Sequence, residues 1–149
     1  MIRFYAYFLS FLILGSTSFP LRAETLNPPQ LVTQGLQLAQ FGGLLSAIDF
    51  WAQFPPLNQN YSPEQRLKVT REVERLQNGF GPVKSHSILA IDEINSQQKT
   101  VWVALYYERG VFYLRLQCYH SPENWVVTEF SFNSNPHKLL PESLLLQLR

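Results

Sequence analysis

Four β-type stretches fill the second half of this chain, and the segments that join them are too short to hold a helix. They alternate apolar and polar residues and are rich in Val, Tyr, Phe and Trp, as strands are. The stretches run over Val83–Ile94, Thr100–Glu108, Val111–Tyr119 and Trp125–Asn133. Parallel pairing requires a crossover of about a dozen residues or more, whereas these joining segments are turn-like. The spacing therefore predicts a four-stranded antiparallel meander.

The turns also predict which residues share a face of the sheet. A two-residue turn at Arg109–Gly110 places Leu105 opposite Leu114, and a five-residue loop HSPEN places Arg115 opposite Glu129. Both registers give one apolar face: Val103, Leu105, Phe112, Leu114, Leu116, Cys118, Val126, Phe130 and Phe132. The opposite face then carries five large rings beside Arg115 and Glu129: Trp102, Tyr106, Tyr113, Tyr119 and Trp125.

The first half of the chain is predicted to be helical. A Pro pair precedes one run and Gly42–Gly43 ends it. Its residues at helical spacing are Leu31, Gln34, Leu38 and Phe41. A second helix runs from Leu44 towards Pro55–Pro56, with a broad apolar face of Leu44, Leu45, Ile48, Trp51 and Ala52. The third begins with a capping box at Ser62 and Gln65 and has an apolar stripe of Val69, Val73, Leu76 and Phe80.

The first twenty-three residues have the layout of a secretory signal peptide. Arg3 is followed by the apolar run FYAYFLSFLILGSTSF, then by Pro20 and by Ala23 before the expected cut. The alternative is an uncleaved anchor, but a span needs about 20 apolar residues. We therefore predict that residues 1–23 are removed on export, that residues 24–149 form a single α+β domain, and that the mature protein is periplasmic or secreted without a stable membrane span.

Composition and motif spacing argue against several activities. The formal net charge is +1, so no basic field favours nucleic acid. The three His residues have no metal-ligand spacing, and AQFGGLL lacks the Lys-Ser/Thr of a phosphate loop. Cys118, the only cysteine, falls on the apolar face and is predicted to be a core thiol. We expect no metal, no cofactor and no nucleic acid.

The order of elements resembles the nuclear-transport-factor-2-like or cystatin-like α+β fold of small exported bacterial proteins of unknown function. The segments that carry the likeness are SPEQRLKVTREVERLQNGFGPV and LYYERGVFYLRLQCYHSPENWVVTEFSFN. The resemblance implies N-terminal helices packed on a curved four-stranded antiparallel sheet, with a cone-shaped cavity between them. Isomerase members of the superfamily line that cavity with an Asp base and a Tyr or acid donor.

Two function classes stay open from the sequence. The first is a non-catalytic exported module that binds a small apolar ligand in the helix–sheet cavity or a protein through the outer sheet face. The alternative is an isomerase- or dehydratase-like enzyme that uses the same cavity. No catalytic residue is assigned. Asp49 is either a general base with a raised pKa or a polar helix position. The candidates for ligand contact are Asp49, Trp51, Tyr107 and Thr128.

The outer sheet face and the C-terminus suggest a contact surface. Aromatic residues and Arg are enriched at the centres of interfaces, so the five rings of the outer face are candidates to contact an envelope protein or a second copy in a homodimer. The tail KLLPESLLLQLR holds more Leu than a free terminus should expose. We expect it to fold as a short helix against the body or a partner; the alternative is that it caps the cavity of a monomer.

Overall fold

A computed structural model describes residues 28–148 and shows an α+β fold with an open antiparallel sheet. The helices are α1 (Pro28–Gly42), α2 (Leu44–Trp51), α3 (Leu57–Asn60), α4 (Pro63–Phe80) and α5 (Glu142–Leu145). The strands are β1 (Val83–Asn95), β2 (Gln98–Tyr107), β3 (Gly110–His120) and β4 (Trp125–Asn133). The sheet order β1-β2-β3-β4 confirms the predicted meander. The predicted signal peptide lies outside the described residues.

Helix α1 buries a different face from the one that its spacing suggested. Of the predicted stripe, Leu31 is buried, whereas Leu38 and Phe41 are 41% and 90% exposed, so the stripe is wrong beyond its first residue. The buried face is Leu31, Val32, Leu36 and Ala39. Gly35 explains the choice, because a Cβ at this position would lie within 2.6 Å of Trp51 Cζ2. The absence of a side chain at Gly35 lets the indole of Trp51 lie against α1.

Helix α4 begins and packs as predicted. The Ser62 side chain accepts a hydrogen bond from the Gln65 amide at 3.2 Å, and the Gln65 side chain accepts one from the Ser62 amide at 2.9 Å. This capping box satisfies two amide groups that the first turn leaves unpaired. Val73 and Leu76 are buried against the core. The charged residues of α4 lie on its exposed side, as its mixed charge pattern predicted.

The β2–β3 hairpin turns one residue earlier than predicted, which shifts the pairing of the two strands by two residues. Tyr107 pairs with Gly110 and Leu105 pairs with Phe112, so the turn is at Glu108 and Arg109. The predicted pairing of Leu105 with Leu114 is wrong. Side chains alternate between faces with a period of two, so a shift of two residues leaves the predicted faces of both strands intact.

A β-bulge in β4 changes the faces at one end of the sheet. Gln117 pairs with Glu129, but its neighbour Cys118 pairs with Val127, which leaves Thr128 as an extra residue. The bulge puts Trp125 in the helix-facing core, although it was predicted on the outer face. It also pairs Val126 with the outer-face Tyr119, so the predicted inward position of Val126 is wrong.

Arg115 and Glu129 are diagonal neighbours across β3 and β4. The direct partner of Arg115 is Ser131, so the predicted register is wrong here. The side chains still meet, with 2.5 Å between Arg115 Nη2 and Glu129 Oε1. Long side chains reach diagonal positions on the same face of a sheet, which is why the ion pair forms despite the shift.

The two faces of the sheet are covered by different parts of the chain. The helices cover the main core, where Val103, Leu105, Leu114 and Leu116 have no exposed surface. On the other face, Trp102 forms a second cluster with Leu140 and Leu144 of the C-terminal tail. The tail therefore folds against the body of the protein, as expected. It covers the outer sheet face and does not cap a helix–sheet cavity.

Candidate functional site

A pocket of the described chain lies among the helices, and none of its lining residues belongs to a strand. It has a volume of about 260 Å³. Its lining residues come from α2, α3, the start of α4 and Tyr61 between them: Leu45, Ile48, Asp49, Ala52, Asn58, Tyr61, Arg66, Val69 and Thr70. We call this the α2–α4 pocket. It differs from the predicted cavity between helices and sheet, where the sheet side chains form the packed main core.

The sequence builds the α2–α4 pocket by interrupting the helical path. Helix α2 ends at Trp51, and the chain makes a short turn of helix before α4 starts at Pro63. Tyr61, just before α4, stacks on Phe130 of β4 with 5.7 Å between ring centroids. Burial raises the pKa of the Tyr61 phenol. Tyr61 is therefore an uncharged aromatic residue of the pocket lining, and its ring contacts the sheet.

The polar groups of the pocket include one ion pair. Arg66 Nη2 donates to Asp49 Oδ1 at 2.6 Å, and the two side chains are 65% and 56% exposed. An exposed pair of this kind contributes about 0–1 kcal/mol. The paired charges cancel locally, so the rim offers hydrogen-bond donors and acceptors without a net charge. Asn58 and Thr70 add neutral polar groups to the lining.

Asp49 and Tyr107 do not share a cavity. Tyr107 lies at the other end of α4, where its ring contacts Phe80 and Phe112 edge to face. Arg66, the partner of Asp49, and Phe80, the partner of Tyr107, are separated by roughly 21 Å of helix at 1.5 Å per residue. The predicted convergence of Asp49 with Tyr107 is therefore absent, and the phenol that lines the pocket with Asp49 is that of Tyr61.

Tyr107 and Trp51 are core residues. The Tyr107 hydroxyl is buried and has no hydrogen-bond partner among the described residues, and burial raises the pKa of its phenol to about 12. Trp51 has no exposed surface, and its Nε1 donates to the Leu31 carbonyl at 3.3 Å. Neither side chain lines the α2–α4 pocket, although both were predicted to contact a ligand.

Thr128 occupies the bulge of β4, away from the α2–α4 pocket. Its hydroxyl donates to the Gln117 carbonyl at 3.3 Å. It lines a separate groove of about 290 Å³ with Thr100 and Gln117. The four residues predicted to contact a ligand therefore lie in different parts of the structure, and of these four only Asp49 lines the α2–α4 pocket.

The outer sheet face does not present the five predicted rings as one surface. Trp102 is 8% exposed beneath the tail, and Trp125 lies on the other face. Tyr106 and Tyr119 are each 36% exposed, and Tyr113 packs partly against the tail cluster. A protein contact at the remaining tyrosines stays a prediction.

The buried acids of the core predict a fall in stability at high pH. Burial raises the pKa of the Cys118 thiol from 9.0 to about 12 and that of the Tyr107 phenol from 10.0 to about 12. Above about pH 9 the unfolded chain therefore loses protons that the folded chain keeps. Each group should lower the free energy of unfolding by up to about 1.4 kcal/mol per pH unit within its own window.

Chemical denaturation from pH 8 to pH 11 measures this effect. In Cys118→Ala, the fall in the free energy of unfolding that begins near pH 9 should be smaller. In Tyr107→Phe, the further fall above pH 10 should be smaller. Tyr119→Phe, at a half-exposed ring, is the matched control and should leave the profile unchanged. A wild-type profile that is flat to pH 11 would contradict the burial of both groups.

In residues 28–148, no group of His, Cys, Asp and Glu side chains is arranged to hold a metal ion. None of the helices over the same range is both long and apolar enough to cross a bilayer.

The α2–α4 pocket itself was not predicted from the sequence. The only residue of the pocket that the sequence marked as a candidate was Asp49, a carboxylate on an otherwise apolar helix. Its partner Arg66 was predicted to lie on a solvated helix face. No protein-family model, no curated protein and no solved structure matches this chain. The site therefore has to be interpreted from its own geometry.

Proposed function

We propose that this protein is an exported, non-catalytic module that binds a small, uncharged amphipathic molecule in the α2–α4 pocket. The observation that carries the proposal is the pocket itself: an apolar lining from Leu45, Ile48 and Val69 beside a charge-balanced ion pair. Ligand sites typically combine a mostly apolar surface with a few polar groups that orient the ligand. The volume of about 260 Å³ suits a short chain or a single ring.

The balanced ion pair favours a neutral ligand. A carboxylate head group would compete with Asp49 for Arg66, and an ammonium head group would compete with Arg66 for Asp49. In either case one charged side chain loses its partner next to an apolar ligand, which costs free energy. A hydroxyl group donates to Asp49 and accepts from Arg66 without breaking the pair.

Calorimetric titration with 1-octanol, octanoate and octylamine tests this proposal. We expect 1-octanol to bind with a dissociation constant on the order of 100 µM, which corresponds to roughly 0.6 kcal/mol per heavy atom. The charged analogues should bind more weakly by up to about fivefold, because breaking an exposed ion pair costs up to about 1 kcal/mol. Ala52→Phe, which fills the pocket, should abolish binding.

Gln53→Phe is the matched control, because it places the same ring at the exposed neighbouring position and should leave the affinity for 1-octanol unchanged. Equal binding of all three compounds would contradict the role of the ion pair. Binding that survives Ala52→Phe would place the ligand elsewhere.

The proposal includes export and a family likeness. The Arg3–Ala23 pattern supports a cleaved signal peptide, and the order of helices before a meander supports the nuclear-transport-factor-2-like or cystatin-like roll. Intact-mass measurement of the exported protein should place its N-terminus at or within a few residues of Glu24. Retention of Met1 would contradict the cleavage.

A further inference from the structure

Strand β1 is a long edge strand with exposed apolar side chains. Within residues 28–148 it pairs with β2 alone, and Val83 is its only buried residue. Ile88, Ile91 and Ile94 are 37%, 40% and 64% exposed. A long apolar edge is a template for another strand, and proteins usually protect it with prolines, charged side chains, β-bulges or a covering segment. Strand β1 has register shifts against β2 between Val83 and Ser85, between Ile88 and Ala90, and between Glu93 and Asn95. The sequence of β1 contains no proline.

The residues of β1 that face the helices are arranged in a self-complementary order. Their partners on β2 are residues of the helix-facing side: His86 pairs with Leu105, Ile88 with Val103, Ile91 with Val101 and Glu93 with Lys99. A register shift between Ile88 and Ala90 separates the first two of these residues from the last two. Along this face the order is therefore a His, an Ile, a second Ile and a Glu.

A two-fold axis between Leu89 and Ala90 would pair this sequence with itself. Antiparallel pairing of two β1 strands in that register sets Ile88 opposite Ile91 of the second copy and His86 opposite Glu93 of the second copy. Each contact occurs twice by symmetry, as in any isologous interface. The imidazole of His86, whose Nδ1 lies 3.3 Å from Gln40 Nε2, meets the Glu93 carboxylate, which also pairs with Lys99 of its own copy at 3.2 Å. The four Ile side chains shield one another from water.

We propose that β1 pairs with β1 of a second copy of this chain, which joins two four-stranded sheets into one sheet of eight strands. The axis lies perpendicular to the sheet, so the helices of the two copies lie on the same side. The C-terminal tails pack on the opposite face, in a cluster that includes Trp102 and, from β1, Leu89 and Ala90. This interface is distinct from the outer sheet face that the sequence suggested.

Sedimentation of the exported protein over a range of concentrations tests the proposal. We expect the sedimenting mass to double as the concentration rises through the micromolar range. Ile91→Lys should raise the dissociation constant of the dimer at least tenfold, because it puts an ammonium group against Ile88 of the second copy. Leu67→Lys, at a 49% exposed position of α4, is the matched control and should leave the dimer intact.

Disulfide trapping tests the register. Opposite residues of antiparallel strands have Cα atoms about 4.5–5.5 Å apart, within the reach of a disulfide. A mixture of Ile88→Cys and Ile91→Cys chains should form the mixed disulfide dimer on mild oxidation. Neither variant alone should cross-link, because residue 88 is offset from its own copy by three positions, or about 10 Å. Buried Cys118 takes no part.

Two results would overturn the proposal. The first is a protein that stays monomeric up to high micromolar concentration. The second is a dimer that is unaffected by Ile91→Lys and gives no mixed disulfide, since that dimer would use a different surface.

Discussion

Replacing Trp51 with alanine should lower the free energy of unfolding by about 3–5 kcal/mol, the cost of removing a large aromatic side chain from a core. Trp51 has no exposed surface. Its indole occupies the space that Gly35 leaves open on α1, and its Nε1 donates to the Leu31 carbonyl. The variant therefore loses apolar burial and a buried hydrogen bond, and it leaves a void between α1 and α2.

Urea denaturation of Trp51→Ala and Phe41→Ala measures the difference. Phe41 is 90% exposed, so its replacement should change the free energy of unfolding by less than about 0.5 kcal/mol. The two substitutions each remove an aromatic ring from the helical hairpin, and they differ mainly in burial. Equal losses for the two variants would contradict the observed packing of α1.

Replacing Leu144 with aspartate should detach the C-terminal tail from the sheet. Leu144 is 7% exposed and packs with Leu140 against Trp102. A carboxylate at this position has no partner in the apolar cluster, so the tail is expected to leave the sheet. The loss of leucine burial should cost about 3 kcal/mol of folding stability.

Acrylamide quenching of tryptophan fluorescence reads out the detachment. Trp51 and Trp125 lie in the helix-facing core, so an increase in quenching reports the exposure of Trp102. Leu146→Asp, at a position that is 61% exposed, is the matched control and should not change the quenching. Unchanged quenching in Leu144→Asp would show that the tail does not cover Trp102.

Local sequence patterns were sufficient to predict the four strands and helices α1, α2 and α4, whereas the short helix α3 was not predicted. The strands of the meander follow from short apolar stretches with turn residues between them, and α4 follows from its capping box. These signals depend on neighbours within a few residues, and tertiary packing does not compete with them here. The faces of β2 and β3 were also correct, because the error in their register was an even number of residues.

Features that depend on distant packing were not predictable from the sequence. Helix α1 has two apolar stripes, and the buried one is selected by the fit of Trp51 to Gly35. These two residues are 16 positions apart in the sequence, so no local pattern encodes their contact. The bulge at Thr128 moved Trp125 and Val126 to the faces opposite to those predicted. One extra residue in a strand exchanges the two faces for all residues on the far side of the bulge. The pocket arises where α2 meets α4, so it requires the relative placement of two helices.

Methyl-resolved NMR titration with 1-octanol tests the central claim of a ligand site between α2 and α4. The account predicts saturable shifts of the methyl signals of Leu45, Ile48 and Val69, which line the pocket. The signals of Val103 and Leu105 in the helix-facing core should stay unchanged. Saturable shifts confined to these core methyl groups, or no saturable shift up to the solubility limit of the alcohol, would contradict the claim.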